Sequence, residues 1–164
     1  MIMKRFCLVL LLMLVAFNVR GQGENQLNDI IISSIKTQMY DDSVRFYARH
    51  PDKKEKFSYR YNICVDGLPR SFPYESLKNV RYYSYYNLSP LTKSMRWKFK
   101  KSTTIFDISI RASDDKIIIV ITPLGAKLKR NKWKLSVSIW FTYTYAYSQE
   151  QKKWILIKKK AGEN

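Results

Sequence analysis

Hydrophobic residues near the N-terminus follow the period of a helix. Apolar residues at positions 27, 30, 31, 35 and 39 recur at steps of three and four, which places them on one helical face. Asn25 or Asn28 can cap the N-terminus of this helix. The pattern predicts a helix over residues 27–39. After a break at Asp41 and Asp42, the residues up to 47 either extend this helix or lie outside it. Pro51 requires the helix to end by His50.

From residue 57 onward the pattern changes to the alternation of β-strands. Residues 57–65 and 79–87 are two candidate strands. Residues 104–111 and 116–122 flank a polar turn and predict a hairpin, whose second strand is apolar on both faces and therefore central. Residues 123–132 predict a basic loop, and residues 133–147 alternate without interruption, which predicts one long strand. Residues 153–159 predict a last strand, with a frayed tail from Lys160.

The order of these elements predicts the fold class. One N-terminal helix packed on a mainly antiparallel, meander-like sheet of about five or six strands is an α+β fold. A long helix across a curved meander is the plan of cystatin-like and NTF2-like domains, so those topologies are the first to compare with the structure. No motif in the chain carries the identity of either family, and a fold alone does not assign a function.

The first residues have the pattern of an export signal. Lys4 and Arg5 precede an apolar run over residues 6–17, and its 12 residues are fewer than a spanning helix needs. We predict a signal peptide over residues 1–21, cleaved between Gly21 and Gln22, and a single α+β domain over residues 22–164. A retained N-terminal anchor is the alternative. The predicted location is a bacterial periplasm or the extracellular space.

The net charge limits the classes of partner to expect, and the cysteine content excludes an intramolecular disulfide. Without residues 1–21 the chain keeps 27 of its 30 Lys and Arg residues against 13 Asp and Glu, a formal net charge of +14. Such a surface attracts anionic glycans, envelope lipids or acidic proteins, and no motif specifies nucleic acid. Membrane contact is expected only through the signal peptide. Cys64 would be the one remaining cysteine, so no intramolecular disulfide forms, and its apolar neighbours predict a buried, inert thiol.

Few residues could support catalysis. His50 is the only histidine, which excludes a histidine-rich metal site, and no G-x-S-x-G elbow or P-loop is present. We therefore expect no cofactor and no metal. Cys64 with His50, oriented by Asp66 or Asn62, is the one nucleophilic arrangement that the composition permits. The acid pairs at 41–42 and 114–115 fit turns and solubility better than general acid/base catalysis.

Cations and aromatic rings are interleaved in two segments, residues 81–86 and 96–101, and further basic residues follow at 127–132. Such mixtures stack sugars or bases and hold anions, although alternation along a strand also fits ordinary two-sided packing. Lysines around the last strand also fit the protection of a sheet edge. The predicted binding surface comprises Arg81, Tyr82, Tyr83, Tyr85, Tyr86, Arg96, Trp97, Lys127, Lys129, Arg130 and Lys132.

The sequence thus predicts a non-enzymatic, exported binding or interaction domain whose basic, tyrosine-rich surface meets an anionic or carbohydrate partner. Two alternatives stay open. One is a small hydrolase or transferase that uses Cys64 with His50, and the other is a structural or inhibitory domain that binds a partner protein.

Overall fold

In the part of the chain that the structure describes, one helix packs on one face of a seven-stranded sheet, which confirms the predicted α+β class. The computed structural model describes residues 2–52, 61–85, 103–113, 115–129, 132–137 and 139–163, with helical side chains from Asn25 onward. Helix α1 spans Ile2–Arg49, and a short 3-10 turn spans Tyr74–Ser76. The strands are β1 Tyr61–Cys64, β2 Val80–Tyr83, β3 Thr103–Ser113, β4 Lys116–Lys129, β5 Lys132–Val137, β6 Ile139–Ser148 and β7 Lys153–Glu163.

The sheet is mostly antiparallel, as predicted, with a parallel edge that was not predicted. Its strand order is β2-β1-β3-β4-β6-β7, and β5 pairs with β4 beside β6. Strand β1 runs parallel to both β2 and β3, whereas β3 to β7 pair in antiparallel fashion. A parallel pair cannot be joined by a tight hairpin. The chain accordingly crosses from β1 to β2 through the 3-10 turn. The cystatin-like and NTF2-like topologies stay predictions.

Helix α1 is longer than the predicted segment 27–39. It passes Asp41 and Asp42 without a break and ends at Arg49, before His50 and Pro51 as expected. Asn28, a candidate N-cap, instead lies inside the helix, where its side-chain amide donates to the carbonyl of Ser71 at 3.0 Å. Within the described residues, no helix is both long enough and apolar enough to cross a membrane.

The predicted loop over residues 123–132 is wrong, because β4 continues to Lys129 and β5 begins at Lys132. Ile121 pairs with Phe141 whereas Leu124 pairs with Val137, so the β5–β6 side carries one more residue than β4 between these pairs. Pro123 lies in this interval and has no N–H to donate, which is where a strand tolerates an irregular register. The predicted single strand over 133–147 is therefore divided into β5 and β6.

The remaining differences concern strand ends. Strand β3 extends to Ser113 and strand β4 begins at Lys116, so the hairpin turn between them is tighter than predicted. Strand β7 lies at the sheet edge, but it continues to Glu163 instead of fraying from Lys160, because Ile139 to Phe141 provide partners for residues 161–163. The early parts of the strand predicted over 57–65 and the segment 86–102 lie outside the described residues.

The main core lies between α1 and the sheet. Isoleucines of the helix meet isoleucines and aromatic rings of the strands, and burial of each such side chain contributes about 1.5–3 kcal/mol. The helix contributes Ile30, Ile31 and Ile35, and the sheet contributes Ile63, Phe106, Ile108, Ile119, Ile121, Phe141, Tyr143 and Tyr145.

A line of polar residues runs through this core. Ser34, Gln38 and Asp42, which we call the polar ladder, are four residues apart and so lie on one helical face. Each meets a tyrosine hydroxyl of the sheet, which satisfies polar groups that would be costly to bury alone. The pairs are Ser34 with Tyr145, Gln38 with Tyr143 and Asp42 with Tyr61, each with its two oxygen atoms 2.8 Å apart.

Further buried residues lie on the rear face, meaning the sheet face turned away from α1. Because Ile63 faces the helix, Cys64 faces the rear, where its thiol is buried, as predicted. The thiol donates to Oδ2 of Asp66 at 3.3 Å, and this carboxylate also accepts from the Ser84 hydroxyl at 2.7 Å. Burial raises the pKa of the Cys64 thiol to about 12, so the thiol stays protonated.

Candidate functional site

A cavity of about 420 Å³ lies between the last turns of α1 and the sheet. Its volume is within the range of sites that hold small organic ligands. The lining residues come from the end of the helix and from β3, β4 and β6. They are Gln38, Asp42, Arg45, Phe46, Arg49, His50, Phe106, Pro123, Ile139 and Phe141.

The sheet side of the cavity is apolar because neighbouring strands place apolar residues at matching positions. Phe106 of β3 pairs with Pro123 of β4, and Phe141 of β6 pairs with Ile121, two residues before Pro123. Cross-strand neighbours of this kind share one face of a sheet. The change of register after Ile121 occurs at this same place. The cavity is therefore bordered by aromatic and aliphatic surface where α1 ends.

The polar ladder ends at this cavity. Oδ1 of Asp42 accepts from Nε2 of Gln38 at 2.8 Å and lies 3.4 Å from a guanidinium nitrogen of Arg45, while Oδ2 accepts from the hydroxyl of Tyr61 at 2.8 Å. Burial raises the pKa of Asp42, and these hydrogen bonds and the Arg45 charge oppose that rise. Both carboxylate oxygens thus have partners within the protein.

Cationic side chains border the solvent side of the cavity. The guanidinium carbon of Arg45 lies 4.9 Å from the centroid of the Phe141 ring, a cation–π distance. Arg49 and His50 are exposed. The His50 ring stacks on Phe46 with centroids 4.7 Å apart, and its Nδ1 lies 3.1 Å from the carbonyl oxygen of Phe46. Because Arg45 balances Asp42, the charge of Arg49 gives this rim a net positive potential.

The structure divides the predicted surface residues of β2 between the two sheet faces. Tyr82 pairs with Ile63 and therefore faces the helix side, where its hydroxyl donates to the carbonyl of Tyr74 at 3.0 Å. Burial raises its pKa to about 12. Arg81 and Tyr83 face the rear, where Tyr83 is only 7% exposed. These neighbours in sequence do not form one surface.

The other predicted surface residues lie elsewhere or outside the described part. The backbone N–H of Tyr85 donates to Oδ2 of Asp66 at 2.8 Å. Exposed Lys127 and Lys129 lie on β4, and Lys132 begins β5. Strands β1 and β3 separate β4 from β2, a lateral separation of about 14 Å. The candidates outside the described residues are Tyr86, Arg96, Trp97 and Arg130.

Of the catalytic arrangements considered from the sequence, Cys64 with His50 is not assembled, and the acid pair at 114–115 includes a residue outside the described part of the chain. His50 lies at the end of α1, whereas Cys64 faces the rear of the sheet. The paired acids 41 and 42 have separate partners, since Asp41 binds Lys159 and Asp42 belongs to the polar ladder. Among the described residues, no group of three or more His, Cys, Asp or Glu side chains could hold a metal ion.

Sequence reasoning missed the cavity, although one signal was present. Gln38 and Asp42 continue the four-residue spacing that starts at Ser34, so a polar line runs between the apolar positions of the helix. That line indicates a helix that extends past residue 39. Its tyrosine partners are more than one hundred residues away for Ser34 and Gln38, so the pairing could not be inferred.

Comparison of the chain with models of protein families, with curated proteins and with solved structures found no match in any of the three.

Proposed function

We propose that this chain is a non-catalytic binding domain that takes an amphipathic organic anion into the cavity at the end of α1. The observation that supports this most directly is an apolar cavity with two arginines at its border. The apolar part of the ligand would pack against Phe106, Ile139 and Phe141, and its acid group would meet Arg45 and Arg49. The proposed site is thus a partly open cavity and not the surface expected from the sequence.

The chemistry of the lining favours binding over turnover. None of the described lining residues carries a hydroxyl, thiol or amine nucleophile. Asp42 is held by Gln38, Tyr61 and Arg45, which gives its carboxylate a structural role at the end of the polar ladder. The imidazole of His50 also lines the cavity, stacked on Phe46, and a ligand can gain hydrophobic contact and a charge interaction here.

The proposal includes export of the domain. The apolar run over residues 6–17 after Lys4 and Arg5 supports this, and cleavage after Gly21 would leave the helix residues that pack on the sheet intact. Mass spectrometry of the protein recovered from its native cell tests it. A mature N-terminus at or near Gln22 is expected, and an intact Met1 on cytosolic protein would contradict it.

Naphthoate and its neutral amide, naphthamide, test the cavity because they share an aromatic body and differ in charge. Fluorescence titration at low salt should show naphthoate binding, with naphthamide weaker by about tenfold, or about 1.4 kcal/mol. Arg49→Gln should weaken naphthoate by a similar factor. Lys127→Gln removes the same charge from an exposed residue on β4 and should leave binding within about twofold. Equal losses in both variants, or no binding of naphthoate, would refute the proposal.

A further inference from the structure

The rear face carries a second group of residues that the cavity does not use. Phe141 and Tyr143 face the core, so the alternate residues of β6 face the rear. Register places each of these beside a residue of β7 on the same face. The pairs are Trp140 with Gly162, Thr142 with Lys160 and Thr144 with Lys158.

Trp140 lies flat against the sheet because position 162 has no side chain. A Cβ atom at Gly162 would overlap the indole ring, with Cε2, Cζ2 and Nε1 as the nearest atoms. The indole is only partly buried, and α1, the one helix of the described chain, packs on the opposite face. A ring that lies across a glycine and keeps partial exposure offers a flat aromatic surface to a ligand.

Cations and hydroxyl groups follow this ring along the same face of β6 and β7. Lys158 and Lys160 are exposed and two residues apart on β7, which separates their Cα atoms by about 6.8 Å. Thr142 and Thr144 lie between the lysines and the half-buried apolar residues of β4. The lysines also protect the sheet edge, but edge protection does not require an indole held over a glycine.

From this arrangement we infer that the rear face around Trp140 binds a linear acidic polysaccharide. The C–H face of a sugar ring would stack on the indole, and carboxylate or sulfate groups along the chain would meet Lys158 and Lys160. The charge complementarity is direct, because a polyanion presents repeated charges to a row of lysines. Single-stranded nucleic acid fits less well, since its successive bases need several stacking rings and Trp140 is one.

This site is independent of the cavity, and the two can be tested separately on the full-length chain. The probe is oligogalacturonate, an acidic oligosaccharide, with its methyl ester as the neutral control. Titration at low salt should show binding of the acid and at least about tenfold weaker binding of the ester. Absence of oligogalacturonate binding would overturn the inference, whatever the result with naphthoate.

Variants that remove lysine charges test where oligogalacturonate binds. Lys158→Gln with Lys160→Gln should weaken oligogalacturonate by about tenfold. The matched control is Lys127→Gln with Lys134→Gln, a cross-strand pair of exposed lysines that shares the helix-side face and carries the same charge. The variants are compared at an ionic strength of about 0.15 M, where charges more than about 8 Å apart are largely screened, so this control should change affinity by less than about threefold. Equal losses would show nonspecific attraction and would overturn the site.

Trp140→Phe and Gly162→Ala test the aromatic surface. Each should weaken oligogalacturonate by about threefold to tenfold, while a cooperative urea denaturation transition shows that the domain has folded. Retained oligogalacturonate affinity in both variants would overturn the stacking arrangement. Single-stranded DNA and anionic lipid vesicles are the competing ligands. Tighter binding of either, with the same dependence on Trp140, would overturn the assignment to a polysaccharide.

Discussion

The two faces of the sheet are built from alternate residues of the same strands, yet they differ in composition and in neighbours. In β4, Ile119 and Ile121 are fully buried under α1, whereas Ile118 and Val120 on the rear are half-buried. In β6 the helix side carries Tyr143, whose hydroxyl is bound within the core. The helix side thus holds the main core, whereas the rear keeps side chains of β4 and β6 partly exposed, although Ile105, Leu124 and Ala126 are buried there too.

The difference shows how a polar core can specify the position of a helix. Aliphatic contacts alone tolerate a shift of α1 by one turn, because isoleucines recur along its face. Tyrosine hydroxyls that meet Ser34, Gln38 and Asp42 at defined positions do not tolerate such a shift without leaving buried polar groups unsatisfied. Among the described residues no helix packs on the rear face, which carries threonine, lysine and tryptophan at the corresponding places of β6 and β7.

The sharpest test of this comparison uses adjacent residues of one strand. Ile121→Ala should lower the free energy of unfolding by about 2–5 kcal/mol, because its side chain is fully enclosed between sheet and helix. Val120→Ala, on the rear face, should cost about 1 kcal/mol or less. Urea denaturation of both variants measures the two losses. Equal values would contradict the assignment of the core to the helix side.

Removal of one ladder hydroxyl should have an intermediate effect. Tyr143→Phe leaves Oε1 of the buried Gln38 without its donor and should cost about 1–2 kcal/mol in the free energy of unfolding. Tyr147→Phe removes the same hydroxyl from a partly exposed residue of the same strand and should cost less than about 0.5 kcal/mol. Comparable losses in the two variants would show that the hydroxyl of Tyr143 has no special role.

The smallest effect concerns pH. Because burial raises the pKa of Asp42 in the folded state, its protonated form favours folding, and this contribution is lost as pH rises from 3.8 through the folded-state pKa. Asp42→Asn removes that dependence, so the stability of the variant relative to the natural chain should increase between about pH 4 and about pH 7. Asp115→Asn, at an exposed side chain, is the control. A constant difference for Asp42→Asn, measured by urea denaturation, would contradict the prediction.

Periodicity along the sequence predicted the fold class, the central position of β4 and the burial of Cys64, because these depend on local alternation of apolar residues. It failed at Pro123, since a proline indicates a loop unless the partner strand can shift register. Alternation along the strand also favoured two-sided packing of Tyr82 and Tyr83 over one shared surface, and the two residues lie on opposite faces of the sheet.

The candidate sites could not be predicted from the sequence, because they depend on how distant segments of the chain pack together. The cavity depends on where α1 ends relative to Phe106 and Phe141, which only the assembled sheet determines. The combination of ring and cation that was expected within the segment 81–86 occurs on the rear face between Trp140 and Lys160, residues of different strands that become neighbours through the pairing of β6 with β7.

The ion pair between Asp41 and Lys159 links helix α1 to strand β7, and the two residues are 118 positions apart in the sequence. Together with the pairing of β6 and β7, it means that the native contacts of α1 are complete only once β7 is in place. Folding dominated by such distant contacts is slow. A chain whose last strand completes the contacts of its first helix is expected to reach the native state only after residues 153–163 are available for pairing.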